Sequence, residues 1–142
     1  MRCAACTREA PPLAAWEIHQ TERGAEPVRE NLKELGRPVK TQVGEDIRFV
    51  ELNWRVDKPY VDRLRSGKGE YEKTLYEVRH TVEKLEYRTF FFVYGNRMVL
   101  VHFFHKTSRK TPSKDLDLGW GRMKEWVREQ KTLEASTHKK RR

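Results

Sequence analysis

Arg79 and Arg88 lie in two segments that read as neighbouring strands, and a cationic run, Lys106 to Lys114, follows a third. A guanidinium is a planar fork of N–H donors that matches the oxygens of a phosphate two at a time. Cutting RNA without a metal needs positive charge against a pentacoordinate phosphorane. It also needs a carrier for the proton of the 2′-hydroxyl. Arginine and lysine supply the first, and histidine or a perturbed lysine the second. The candidates for chemistry are therefore Arg79, Arg88, His105 and Lys106. The candidates for holding a nucleic-acid backbone are Lys106, Arg109, Lys110 and Lys114.

The turns allow cross-strand pairs to be estimated. Gly95-Asn96 is a two-residue hairpin signal, which sets Arg88 opposite Phe103 with His105 diagonal to it on the same face. A turn at Glu83-Lys84 sets Arg79 opposite Arg88. Opposed like charges repel by on the order of a few tenths of a kcal/mol unless an anion joins them. That anion is a bound phosphate, or else Glu77 or Glu86 of the chain itself. In this register His102 points to the other face as a packed sheet histidine, and His80 lies in a turn. Phe90-Phe91-Phe92 is core.

Other chemistries find no support. No clustered carboxylates accompany the histidines, so no metal ligands are assigned. Cys3 and Cys6 form one C-x-x-C pair with no second pair, which cannot make a four-cysteine zinc site. They read as part of a reduced leader, and the cytoplasm is the default compartment. No P-loop, dinucleotide fingerprint, H-E-x-x-H or G-x-S-x-G occurs, so no cofactor is expected.

The chain has 142 residues, room for one domain. Its formal net charge is +9, and residues 106–142 hold 12 basic against 5 acidic residues. A surface of that sign attracts phosphate backbones or acidic partners. Leu, Ile, Val and Phe make up 31 residues, enough for a thin core. No apolar stretch nears the ~20 residues of a membrane span, and no secretory h-region opens the chain.

The elements that must position these residues follow from apolar spacing. Residues 1–12 read as a flexible leader, 13–130 as the domain and 131–142 as a basic tail. Leu13 to His19 reads as a strand. Pro27 to Leu35 and Pro38 to Val56 read as an antiparallel helix hairpin, the second helix carrying the stripe Val39, Val43, Ile47, Val50 and Trp54. Residues 57–73 read as a loop. Strands follow over Thr74–His80, Leu85–Tyr94 and Arg97–His105. After the basic loop, Ser113 caps a helix striped by Leu116, Trp120, Met123 and Val127. Gly119 and Gly121 each weaken that helix by about 1 kcal/mol relative to alanine. The class is α+β, with a small twisted antiparallel sheet, an N-terminal helix hairpin and a C-terminal helix.

Four segments in order carry a resemblance: Leu75-Tyr76-Glu77-Val78-Arg79, Tyr87-Arg88-Thr89-Phe90-Phe91, Val99 to Phe104, and His105 to Pro112 (HKTSRKTP). With the upstream Gly24-Ala25-Glu26-Pro27-Val28, the chain resembles the RelE/HigB-like toxins of type II toxin–antitoxin systems, in their phage-derived branch. The resemblance implies a RelE-like fold of the RelE/ParE superfamily. It implies a metal-independent mRNA endoribonuclease that acts on the ribosome and inhibits translation. Its partners would be mRNA on the ribosome and a cognate helix-turn-helix DNA-binding antitoxin, with no membrane. Carried over by motif, Arg79 and Arg88 stabilise the reacting phosphate, and Lys106, Arg109 and Lys110 hold RNA. The chain departs from the pattern at His105 and Thr107, at Gly119 and Gly121, and in having no tyrosine after Tyr94. Two other readings stay open: a ParE-like gyrase-targeting toxin, and a non-catalytic nucleic-acid-binding phage-derived protein.

Overall fold

The computed structural model describes residues 13, 17–20, 25–64 and 74–140. The leader 1–12 lies outside the described residues. Five strands form one sheet in the order β1-β5-β4-β3-β2, where β1 is Glu17–Ile18, β2 Val61–Arg63, β3 Tyr76–Val82, β4 Leu85–Tyr94 and β5 Arg97–Lys106. Helices α1 (Pro27–Lys33) and α2 (Arg37–Asn53) cover one face, and α3 (Ser113–Lys140) covers the other. No helix among the described residues is long and apolar enough to cross a membrane.

The α+β class and helix placement follow the spacing argument. Val43, Ile47 and Val50 of α2 are buried with Val28, Val78, Phe91 and Leu100 on one side of the sheet. Trp120, Met123 and Val127 of α3 are buried with Phe90, Phe92 and Val99 on the other. The triple phenylalanine thus serves both cores, because successive strand residues face opposite ways.

The sheet departs from the expected form in three respects. It is mixed rather than antiparallel, since β1 pairs parallel to β5. No short turn joins those two strands, so nothing forces them antiparallel. Residues 61–63, read as loop, form the edge strand β2 against β3; three residues are too few to show an alternation. Finally, Phe90 pairs with His102 but Phe91 with Leu100, so Val101 is an extra residue in β5. Such a bulge shifts every pair beyond it by one. Helix α3 also continues past residue 130 to Lys140, so the basic segment begins as helix.

Candidate active site

The shifted register decides what shares a face with Arg88. Arg79 and Arg88 are Cα partners, as the Glu83-Lys84 turn requires. Across the other ladder Arg88 meets Phe104, not Phe103, and Lys106 meets Glu86. Arg88, Glu86, Phe104, His102 and Lys106 therefore lie on the α3 face. His105 pairs with Tyr87 on the opposite face, its ring stacked on Tyr87 with centroids 4.9 Å apart. The expectation that His105 flanks Arg88 is corrected: the sheet lies between them.

His102 is corrected in the other direction. It is on the Arg88 face, although packed as expected at 7% exposure. Its Nε2 is 2.7 Å from Asp115 Oδ1, and its Nδ1 is 3.4 Å from Arg122 Nη1. Donation from Nε2–H to Asp115 and acceptance at Nδ1 from Arg122 satisfies both nitrogens in the neutral ring. Burial pushes its pKa below the ordinary value, with Asp115 pulling the other way. Its ring ties the first turn of α3 to the sheet. His80 lies in β3, not in a turn, and is fully buried. Its Nδ1 is 2.8 Å from Asp46 Oδ2 on α2, and its Nε2 is 2.7 Å from Thr89 Oγ1. Both histidines act as struts between a helix and the sheet.

The two arginines are joined by carboxylates. Glu77, almost fully buried, places Oε1 3.3 Å from Arg88 Nε and 3.9 Å from Arg79 Nε. Its Oε2 accepts from the Thr111 hydroxyl at 3.1 Å. Glu86 Oε2 accepts from Arg88 Nη1 at 2.9 Å, and Asp62 Oδ2 from Arg79 Nη2 at 3.1 Å. The Arg88 hydrogen bond holds the Glu86 carboxyl below its usual pKa, burial opposing it. The repulsion between opposed arginines is thus relieved from within the chain, by Glu77 and Glu86 together. Asp62 and Thr111 are contributors that the sequence reading missed. Asp62 gives no signal in sequence, because β2 is too short to show a strand pattern. Thr111 stood inside the quoted HKTSRKTP segment, but nothing there marked its hydroxyl as reaching Glu77.

The cations are arranged around this network. Lys106 ends β5, half-buried and diagonal to Arg88 on the same face. Arg109 and Lys110 are exposed on the loop that follows, turned by a 2.7 Å bond from the Ser108 hydroxyl to the Lys110 carbonyl. Lys114 is exposed in the first turn of α3. Thr111 fixes this loop to Glu77, so the exposed backbone-binding candidates stand beside the half-exposed Arg79 and the buried Arg88. The arrangement can hold an anion with several acceptors, and its exposed rim can take an extended chain. Among the described residues no three of His, Cys, Asp and Glu come together to hold a metal ion.

A family model described as Phage derived protein Gp49-like (DUF891) matches residues 30–124. The matched stretch includes Asp62, Glu77, Arg79, Glu86, Arg88, Lys106 and Thr111. No curated protein matches the chain.

Proposed function

From the premise that the chain belongs to the Gp49-like phage-derived family, we propose that it is the toxin of a type II toxin–antitoxin system. In this reading it has a RelE-like fold and cuts mRNA on the ribosome without a metal, inhibiting translation. Its partners are the translated mRNA and a cognate antitoxin, a helix-turn-helix DNA-binding protein. The observation that carries the reading is the Arg79–Arg88 cross-strand pair beside the Lys106–Lys114 loop.

The 2′-oxygen of one nucleotide attacks the adjacent phosphorus, and the bond from phosphorus to the 5′-oxygen breaks. The guanidinium groups of Arg79 and Arg88 stabilise the extra negative charge on the phosphorane. Lys106, as an ammonium on the same face, donates a proton to the departing 5′-oxygen. Water at the exposed rim takes the 2′-hydroxyl proton. His105 has no part in proton transfer, being on the far face. Arg109, Lys110 and Lys114 hold neighbouring phosphates.

The test is induction in a bacterial host with primer extension on abundant transcripts. The variants are Arg79→Ala and Arg88→Lys, the latter keeping a charge beside buried Glu77 while removing the fork. Wild type should arrest growth with discrete cuts, and each variant should lose about 10²-fold or more of the cleavage. Full cleavage in both would sink the reading. A second reading, a non-catalytic nucleic-acid binder, is favoured by one observation: three carboxylates occupy the two guanidinium groups. Growth unaffected by wild type, together with salt-sensitive binding of nucleic acid without cleavage, would favour that reading, and arrest without cuts would point to a gyrase-targeting toxin.

A further inference from the structure

The three carboxylates around the arginines are not equivalent. The Glu77 side chain is 3% exposed, whereas those of Asp62 and Glu86 are 27% and 41% exposed. Glu77 is held by Thr111 and faces the Nε edge of both guanidinium groups. Asp62 and Glu86 each hold one outer nitrogen, Nη2 of Arg79 and Nη1 of Arg88. Their other neighbours are at the surface: Lys58 Nζ lies 3.7 Å from Asp62, and the Thr81 hydroxyl donates to Glu86. Removing Glu77 would strand a buried guanidinium, but Asp62 and Glu86 can turn out into water. The network is also imperfectly satisfied. Neither Arg79 Nε nor Arg88 Nε, both buried, makes a well-formed hydrogen bond.

Charge gives the same division. Two guanidinium groups, with Lys58 beside Asp62, balance the three carboxylates and leave no net positive charge to draw in a phosphodiester. With Asp62 and Glu86 turned away, the two guanidinium groups exceed Glu77 by one positive charge, and Lys106 adds a second. We infer that the substrate phosphate enters by taking the places of Asp62 and Glu86 on the outer guanidinium nitrogens, while Glu77 stays as the positioning residue that keeps both arginines aligned. This deepens the ribonuclease reading and rests on it for the identity of the phosphate. An anion must offer two or more acceptors to replace both carboxylates at once, which a phosphodiester does and chloride does not.

The test uses the full-length protein and a 2′-O-methyl RNA oligonucleotide, which cannot be cut, with inorganic phosphate as a second probe. Binding is followed through the arginine Nε–Hε signals in nitrogen-15 spectra. The Asp62→Asn/Glu86→Gln double variant should bind the oligonucleotide about tenfold tighter than wild type, since two competing charges are removed. Glu77→Gln should bind at least about tenfold more weakly, with the Arg79 and Arg88 signals displaced before any ligand is added. Should Glu77→Gln not fold, Thr111→Val loosens Glu77 by one hydrogen bond and should weaken binding several-fold, with the same signals displaced. A double variant that binds no tighter, while wild type cuts transcripts in cells, overturns the inference and leaves the ribonuclease reading standing. Tighter binding and shifted arginine signals without any transcript cleavage keep the inference and sink the ribonuclease reading. Thr111→Val with wild-type affinity and unmoved signals overturns the role given to Glu77.

Discussion

Histidine shows most plainly how position decides what a residue does. His19 is 1% exposed, and neither ring nitrogen has a hydrogen-bond partner. Its Nε2 lies 3.8 Å from Glu125. Burial lowers its pKa, and the Arg122 charge lowers it further against Glu129. His102 is lowered too, again chiefly by burial. In both, folding favours the neutral ring, so the folded pKa lies below the unfolded value near 6.5. Their contribution is fully present above that value and is lost as pH falls below it. Each can add at most about 1.4 kcal/mol per pH unit to the slope. The thermal unfolding midpoint should therefore drop between pH 7 and pH 5, and His19→Leu should flatten the profile. At neutral pH that variant should be no less stable, because it removes a buried unpaired polar group. A profile equally steep in His19→Leu and wild type would show that the ring does not titrate with folding. Spacing could nominate histidines, but not assign them. The face of His105 and His102 turned on a single bulge that has no sequence signature.

At the scale of elements, α3 carries two glycines that look alike in sequence and differ in structure. A Cβ on Gly119 would lie 2.7 Å from Phe90 Cδ2 and 3.0 Å from Leu75 Cδ2, so the missing side chain lets the helix approach β4. A Cβ on Gly121 would meet nothing within 4 Å. Both glycines carry the propensity cost, and at Gly119 the packing against β4 outweighs it. Gly121→Ala should stabilise the protein by about 0.5–1 kcal/mol. Gly119→Ala should destabilise it by about 1–3 kcal/mol, because α3 must move off the sheet. Urea unfolding of the two variants checks this, and shifts in the same direction would contradict the packing of α3. The apolar stripes of α2 and α3 and both tight turns were legible, since periodicity and turn chemistry are local. Strand β2 was not, because pairing partners, not its own three residues, make it a strand. With it went Asp62, the one network carboxylate supplied by that edge.

For the whole molecule, the sheet divides the labour between its faces. The α1–α2 face holds the larger apolar cluster and the chain from half-buried Asp46 to buried His80 and Thr89. The α3 face holds the arginine pair, and at its rim the loop cations. The net charge of +9 thus enters function through place: within the arginine network, Lys58 included, base and acid balance, and further positive charge stands beside it on Lys106, Arg109, Lys110 and Lys114. Each lysine or arginine that neutralises an RNA phosphate releases condensed counterions, contributing about 0.7 to the slope of log K against log salt for single strands. Changing all four loop cations to glutamine should flatten the slope for a single-stranded RNA by up to about 3 and weaken binding most at low salt. Arg37 and Lys40 are as exposed, but they belong to α2 on the opposite face. Changing them to glutamine should lower the net charge and leave the slope where it was. Titrations at several salt concentrations separate the two cases. Flattening by the Arg37 and Lys40 changes in proportion to their two charges would mean that RNA responds to the overall charge of the molecule and not to the rim beside Arg88.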